Sequence, residues 1–453
     1  MMKKILFFII LIPSLLFGEP IFSDNAYLES VNENPITLEN NRENKSYTIP
    51  AIENIFFITS LWSYDRFVAN EDWAIIGINS VEANFKNGPE WDHDGFVINQ
   101  IAHPYSGSIY FTSARSNDLS FVESAAYTFS GSLVWEFFME NHYPSINDMI
   151  TTTFGGIALG EILYRLSNLC LVEGATGGEK IVRETFSALL SPMNSINRYF
   201  GNYTYKPENS NIHYNFSIGG NTQFVADKID KMDSMVFTEF MLEYNEMFQD
   251  KSIRKPFDYF KIAIDLNLYN DNAISTISLL GHLVGREIDQ DSYSVLIGAF
   301  QHYFYTNNDI LRLSSSSIGP GLEVKSRLTE KINFKAGFHL QGILLGAMDS
   351  RYLEEIRDYN FGPGYAILFY MKFGRKDAIE ISLTSKYFFF DNVVGIATSE
   401  QIWIANSRID FPVYRNLRFG LEYNYFDRSE KYDEYADVSG YGDLLRTFLT
   451  ISF

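Results

Sequence analysis

Between residues 99 and 165 the chain places His103, Arg115, Trp135, Glu136, Glu140, Asp148, Glu161 and Arg165 in segments otherwise apolar enough to be buried. A buried charge is costly unless it is paired or put to use, so each of these side chains needs a partner or a task. His103 precedes Pro104 in what reads as a loop or strand edge, and imidazole titrates nearest neutrality. It is therefore a candidate general base or metal ligand; the structural alternative is an imidazole satisfying backbone carbonyls beside a fixed turn. Glu136 and Glu140 stand four apart on one helix face, with Trp135 adjoining. Two such carboxylates repel unless they are paired, protonated or bound to a cation. They are candidates for acid–base work; ion pairs to Arg115 or Arg165, or exposure of Glu140 at the helix end, are the structural alternatives.

Other polar positions read as architecture. Asp148 stands three residues after Ser145, the spacing of a capping box. Gly156 and Gly160 form a small-xxx-small pair that lets a second helix approach closely. Glu161 and Arg165 make an i,i+4 ion pair. His142 follows Glu140 as Glu-x-His, which is not a recognised ligand spacing, and no P-loop, dinucleotide fingerprint or Cys/His zinc pattern occurs. No serine lies in a G-x-S-x-G elbow. The candidate catalytic pair is thus His103 and Glu136, with no metal set and no cofactor assigned.

The elements that carry these residues read as helical over residues 49–202. The segment at 50–69 opens with Pro50, which suits a first turn. A second helix is expected over 73–84, a third over 121–141 and a fourth over 146–171. Glu123, Glu136, Glu161 and Arg165 interrupt the last two, so these are buried helices and not the roughly 20-residue apolar spans of a membrane helix.

The rest of the chain changes period. After about residue 209 apolar and polar residues alternate, as in Phe260, Ile262, Ile264, Leu266 and Leu268 against Lys261, Ala263, Asp265 and Asn267. About twelve runs are expected, starting near residues 211, 235, 257, 273, 291, 309, 331, 362, 378, 400, 415 and 440. Each is near the roughly 9–11 residues a tilted strand needs to cross a bilayer. Alternation with turns between is the pattern of an outer-membrane barrel, whose aromatic girdles account for 39 Phe and 29 Tyr. The terminal strand puts Leu445, Leu449, Ile451 and Phe453 on one face, resembling the assembly signal read by the barrel assembly machinery. Polar luminal candidates by parity are Glu239, Glu243, Lys261, Asp265, Glu380, Arg408, Arg418 and Glu422.

Bulk properties agree. Net charge is −20, which argues against nucleic acid as a partner; outer-membrane lipid is the expected surroundings. Lys3 and Lys4 precede an apolar run ending near Gly18, the layout of a cleaved secretory signal. Cys170 is the one cysteine, so no internal disulfide framework exists.

Four spaced motifs resemble an uncharacterised bacterial group, the domain-of-unknown-function family 3943. They are NQ-x-x-HP-x-x-G-x-x-Y-x-x-x-AR at 99–115, GS-x-x-WE-x-x-x-E at 131–140, PS-x-x-D at 144–148 and GG-x-x-x-GE-x-x-x-R at 155–165. The resemblance spans roughly residues 50–170 and implies an envelope setting, with no activity to inherit. The expected fold class is α+β: a signal peptide (1–18), a flexible linker (19–49), a buried helical domain that is a candidate lumen plug (50–202), and an antiparallel transmembrane barrel (203–453). Two functions are expected in turn: an outer-membrane protein for envelope transport or organisation, or an envelope-lipid enzyme using His103 and Glu136. Mass spectrometry of the protein recovered from the cell envelope is expected to find Glu19 at the N-terminus. A mature chain that retains Lys3 and Lys4 would overturn the signal reading.

Overall fold

The helical period over the first half folds, in this computed structural model, into a bundle of α-helices broken by π-turns. The structure describes residues 36–40, 45–92, 94–172, 174–201, 203–207, 210–225, 233–248, 255–267, 273–308, 310–329, 332–352, 359–375 and 378–453. The signal segment, most of the linker, Leu268 and the turn at 270–272 lie outside the described residues. The chain divides into two compact units, residues 1–210 and 211–453.

In the first unit, α1 is Thr48–Tyr64, α2 Ile78–Asn87, α3 His103–Arg115 and α4 Phe121–Phe138. They are followed by α5 Ile146–Ile150, α6 Gly156–Leu169, α7 Gly177–Leu190 and α8 Pro192–Phe200. The helix expected at 50–69 is α1 continued by a π-turn, Asp65–Ala69, and stopped by Asn70 in the left-handed region at φ 60°. The expected helix at 146–171 is α5 and α6 joined by the π-turn Thr151–Gly155. The start of α4 is set by a capping box: the Glu123 backbone amide donates to Ser120 Oγ at 3.3 Å and the Ser120 amide donates to Glu123 Oε2 at 2.6 Å. No helix among the described residues is long and apolar enough to cross a membrane.

One expectation is corrected here. His103 does not sit in a loop or strand edge; it is the first residue of α3, entered through the π-turn Ile98–Ala102. Proline needs no amide partner in the first turn, so Pro104 sits in the opening turn of α3 and marks no break in the chain.

Helix α3 is the centre of this unit, with Gly107 to Ala114 all buried. Its neighbours reach it through glycines. A Cβ on Gly107 would lie 1.9 Å from the Thr152 carbonyl oxygen, and one on Gly156 would lie 2.6 Å from Gly107 Cα. Gly160 receives the Phe111 side chain, and Gly131 of α4 receives the Tyr110 ring. The small-residue motif is therefore a helix crossing, with α3 as partner. Outside the bundle, β1 (Ile36–Asn40), inside the stretch read as linker, pairs antiparallel with β2 (Tyr203–Pro207).

The second unit is a closed antiparallel barrel of twelve strands. These are β3 (Ile212–Val225), β4 (Asp233–Tyr244), β5 (Phe260–Asn267), β6 (Ile274–Asp289), β7 (Tyr293–Asn307) and β8 (Arg312–Arg327). They continue with β9 (Asn333–Asp349), β10 (Tyr359–Gly374), β11 (Glu380–Asp391), β12 (Ala397–Tyr414), β13 (Leu417–Tyr432) and β14 (Val438–Ser452). Strand β14 closes on β3, so no edge is left unpaired. The observed starts lie within a few residues of those expected. Most strands are longer than a bilayer crossing requires, reaching 18 residues in β12, because pairing between neighbours continues beyond the span.

Parity separates two faces. On β14, Leu445 and Leu449 are exposed outward while Leu444, Arg446 and Phe448 are buried inward. Outward aromatics cluster on neighbouring strands, with Trp403 against Tyr425 and Tyr365 against Phe389, as an interfacial girdle requires.

The glycine crossing generates a test in the full chain, where four of the five tryptophans (Trp62, Trp73, Trp91, Trp135) lie in the helical unit and report its unfolding. Gly107→Ala meets backbone that cannot yield and is expected to cost about 1–3 kcal/mol in a denaturant titration. Gly178→Ala, which meets nothing within 4 Å, is expected to leave the midpoint unchanged or slightly raised.

Candidate functional site

The polar residues of residues 92–165 resolve into two buried clusters on opposite sides of α3's sequence. The first is a structural ion triad. Glu161, buried on α6, accepts from Arg115 Nε at 2.7 Å and Nη2 at 3.1 Å, and from Arg165 Nε at 2.9 Å. Burial acts to raise the Glu161 carboxyl, but the two guanidinium groups carry it below the usual carboxylate range. Arg115, at the end of α3, is thus clamped to α6. Neither arginine reaches Glu136 or Glu140, so those two carboxylates are met in another way.

The second cluster surrounds His103. Its Nε2 faces two carboxylate oxygens, Asp148 Oδ1 at 3.3 Å and Asp94 Oδ2 at 3.5 Å. Asn147, beside Asp148 on α5, holds the surroundings: its amide donates to Asp148 Oδ1 at 2.9 Å, Asn99 Oδ1 at 3.0 Å and Asp92 Oδ1 at 2.5 Å. The Asp92 backbone amide donates in return to Asn147 Oδ1 at 3.1 Å. Asn99 of the NQ pair also donates to the Asp94 carbonyl at 3.2 Å. The loop carrying Asp92 and Asp94 is pinned near α5 by paired backbone bonds, the Glu90 amide to the Pro144 carbonyl and the Ile146 amide to the Glu90 carbonyl, both 2.8 Å.

Glu136 has a structural task that sequence spacing did not show. Its Oε2 accepts the Ser145 backbone amide at 2.8 Å, filling the place the capping-box reading gave to Asp148. Ser145 Oγ does accept the Asp148 amide at 3.1 Å, while the Asp148 carboxylate turns to His103. Glu136 and His103 share no hydrogen bond. Trp135 Nε1 donates to Glu140 Oε1 at 2.6 Å, and Glu140 is partly buried, not exposed at the helix end.

The electrostatics follow from burying several carboxylates around one imidazole. Burial, then Glu140 and Asp148, push Glu136 well above the usual range. Burial and the neighbouring Asp92 do the same to Asp148. Asp92 is carried down despite burial, because Asp148 and Asn147 donate to it. Burial alone would lower His103, but Asp94 and Glu136 hold it above its ordinary value. The shifts run in opposite directions within one hydrogen-bonded cluster, with Asp92 down and His103, Glu136 and Asp148 up. Among the described residues Asp94, His103 and Asp148 form one group whose donor atoms all lie within 4.8 Å. Asp92 and Asp94 were missed from sequence; the Asp-x-Asp just ahead of the NQ-x-x-HP motif was the available signal.

The chain is thus a helical unit followed by a closed twelve-strand barrel. Residues 88–193 match the family described as Domain of unknown function (DUF3943). The match begins later and ends later than the motif span of roughly 50–170, taking in α7 and leaving out α1. Among solved structures, the barrel is similar to the NanC porin, at 12% identity over 51% of this chain and 98% of that one, TM-score 0.29. It is also similar to the KdgM porin in complex with disordered oligogalacturonate, at 8% identity over 52% and 99%, TM-score 0.27. The outer membrane channel DcaP of Acinetobacter baumannii gives 9% identity over 54% and 97%, TM-score 0.26. No curated protein matches the sequence.

Glu140 supplies a pH test. Burial raises its carboxyl from 4.5 to about 7, so the folded state holds a proton that the unfolded state has released across that interval. Stability then falls as pH rises from about 4.5 to about 7, by roughly 3 kcal/mol for this group alone. Tryptophan-monitored denaturation of the full chain is expected to show this decline, and Glu140→Gln is expected to make it shallower, the raised Glu136 and Asp148 carboxyls keeping the same sign.

Proposed function

We propose that this protein is an outer-membrane barrel, shut in its resting state, with a role in envelope transport or organisation. The outward face supports the membrane setting, being apolar at alternate positions and belted by aromatics, which is what lipid demands of a closed barrel.

The observation that carries the shut state is a set of side-chain contacts spanning the lumen between strands that are not neighbours. Arg408 on β12 reaches Glu239 on β4 at 3.0 Å, four strands away around the ring. Arg446 on β14 reaches Asp265 on β5, three strands away, at 2.9 Å, and its cross-strand neighbour Glu422 on β13 at 3.3 Å. Phe304 of β7 stacks on Phe388 of β11 at 5.6 Å, with Lys386 Nζ 4.1 Å from the Phe304 ring. Arg428 of β13 pairs with Asp349 of β9 at 3.2 Å. Contacts four strands apart cross most of the diameter of a twelve-strand ring, so the barrel's own side chains occupy its lumen.

The luminal residues read by parity take part. Glu243 accepts from Tyr259, Glu380 pairs with Lys372, and Arg418 donates to the carbonyls of Ala378 and Asp410. A helical plug is one way to pair a charged lumen; many of these luminal charges also pair with one another. The lipid-enzyme reading loses its stated geometry as well, because His103 and Glu136 are not hydrogen-bonded.

Planar-bilayer recording of the purified full chain tests the reading. The wild type is expected to carry no steady ohmic current, and Arg408→Ala with Arg446→Ala is expected to produce openings. Porin-like conductance in the wild type would overturn the shut-barrel reading.

A further inference from the structure

We propose that Asp94 Oδ2, His103 Nε2 and Asp148 Oδ1 form a binding site for a divalent transition-metal ion, Zn2+ in the first instance, in the helical unit. The site is independent of whether the barrel conducts.

The spacing of the donors is the first argument. His103 Nε2 stands 3.3 Å from one carboxylate oxygen and 3.5 Å from the other. A charge-assisted hydrogen bond between imidazolium and carboxylate would close to about 2.7–2.9 Å, and here the same nitrogen faces two oxygens and closes on neither. A tetrahedral centre with bonds of about 2.0–2.1 Å has donor–donor edges of about 3.3–3.4 Å. The two separations from His103 Nε2 match such edges, and the three donor atoms lie within 4.8 Å of one another.

The donor set is the second argument. Imidazole with two carboxylates suits zinc and its neighbours, whereas Mg2+ and Ca2+ take oxygen alone. Three protein donors leave a fourth position for water, the arrangement of zinc sites that act on a substrate.

The support around the donors is the third. Ligands in metal centres are oriented by outer hydrogen bonds, and Asn147 provides them from one amide, holding Asp148 and Asp92 while Asn99 ties the Asp94 backbone. Two π-turns, Ile98–Ala102 and Thr151–Gly155, immediately flank His103 and α5; such turns recur at functional sites. Several carboxylates around a single imidazole also leave excess negative charge that a divalent cation would neutralise.

The test uses the full chain in detergent micelles, stripped by chelator and titrated with Zn2+ alone by calorimetry. One Zn2+ per chain is expected, with an X-ray absorption shell of N/O donors that includes imidazole scattering. His103→Gln and Asp148→Asn are each expected to weaken binding by roughly 100-fold, and His142→Gln to leave it unchanged. Should those two variants fail to fold, Asp94→Asn, whose side chain is half-exposed, carries the test by weakening Zn2+ binding while tryptophan emission stays native. Absence of stoichiometric binding in the wild type, or unchanged affinity in Asp94→Asn, would overturn the site. Tighter binding of Mg2+ or Ca2+ than of Zn2+ would overturn its assignment to a transition metal.

Discussion

Charge removed from water must be met by opposite charge, by hydrogen bonds or by a proton, and both units are arranged around that requirement. In the helical unit Glu161 is met by two arginines, and this triad joins the end of α3 to α6. In the barrel Arg408 and Arg446 are met by Glu239, Asp265 and Glu422 across the lumen. Removing one member of such a set leaves the others buried and unmatched, which costs more than the pair itself contributes. The charges therefore act as fasteners between elements distant in sequence.

The His103 cluster meets the requirement differently. No arginine or lysine enters it through the contacts of His103, Glu136 or Asp148; these groups meet one imidazole and a backbone amide. Carboxylates gathered around an imidazole with no guanidinium or ammonium among them leave a place that a cation can take. That distinguishes it from the Glu161 triad, where the positive charge is covalently part of the fold. The glycine crossings are what allow it to form, because close approach of α3 to the α5–α6 segment brings Asp148 against His103.

The barrel shows the same economy. Apolar outward positions incur no desolvation cost in lipid, while inward positions carry both charged pairs and an apolar cluster.

The strand count, the outward and inward parity and the apolar character of the lipid face were legible in the sequence, because each is a property of a short local pattern. Period-two alternation depends only on successive residues pointing to opposite faces, so Leu417, Phe419, Leu421 and Tyr423 declare their side without reference to any other strand. The helical character of residues 49–202 was legible for the same reason, but its division was not: the helix expected at 73–84 is a short turn, Asp72–Ala74, followed by α2 from Ile78, and α3, α7 and α8 were not individually expected. Partnership was not legible. Glu136 binds the Ser145 amide, Asp148 leaves its cap for His103, and Asp94 joins them from a loop, all through contacts between separate elements. A sequence states which groups must be satisfied; which group satisfies which is decided only when helices cross, since that depends on where a glycine lets two backbones meet.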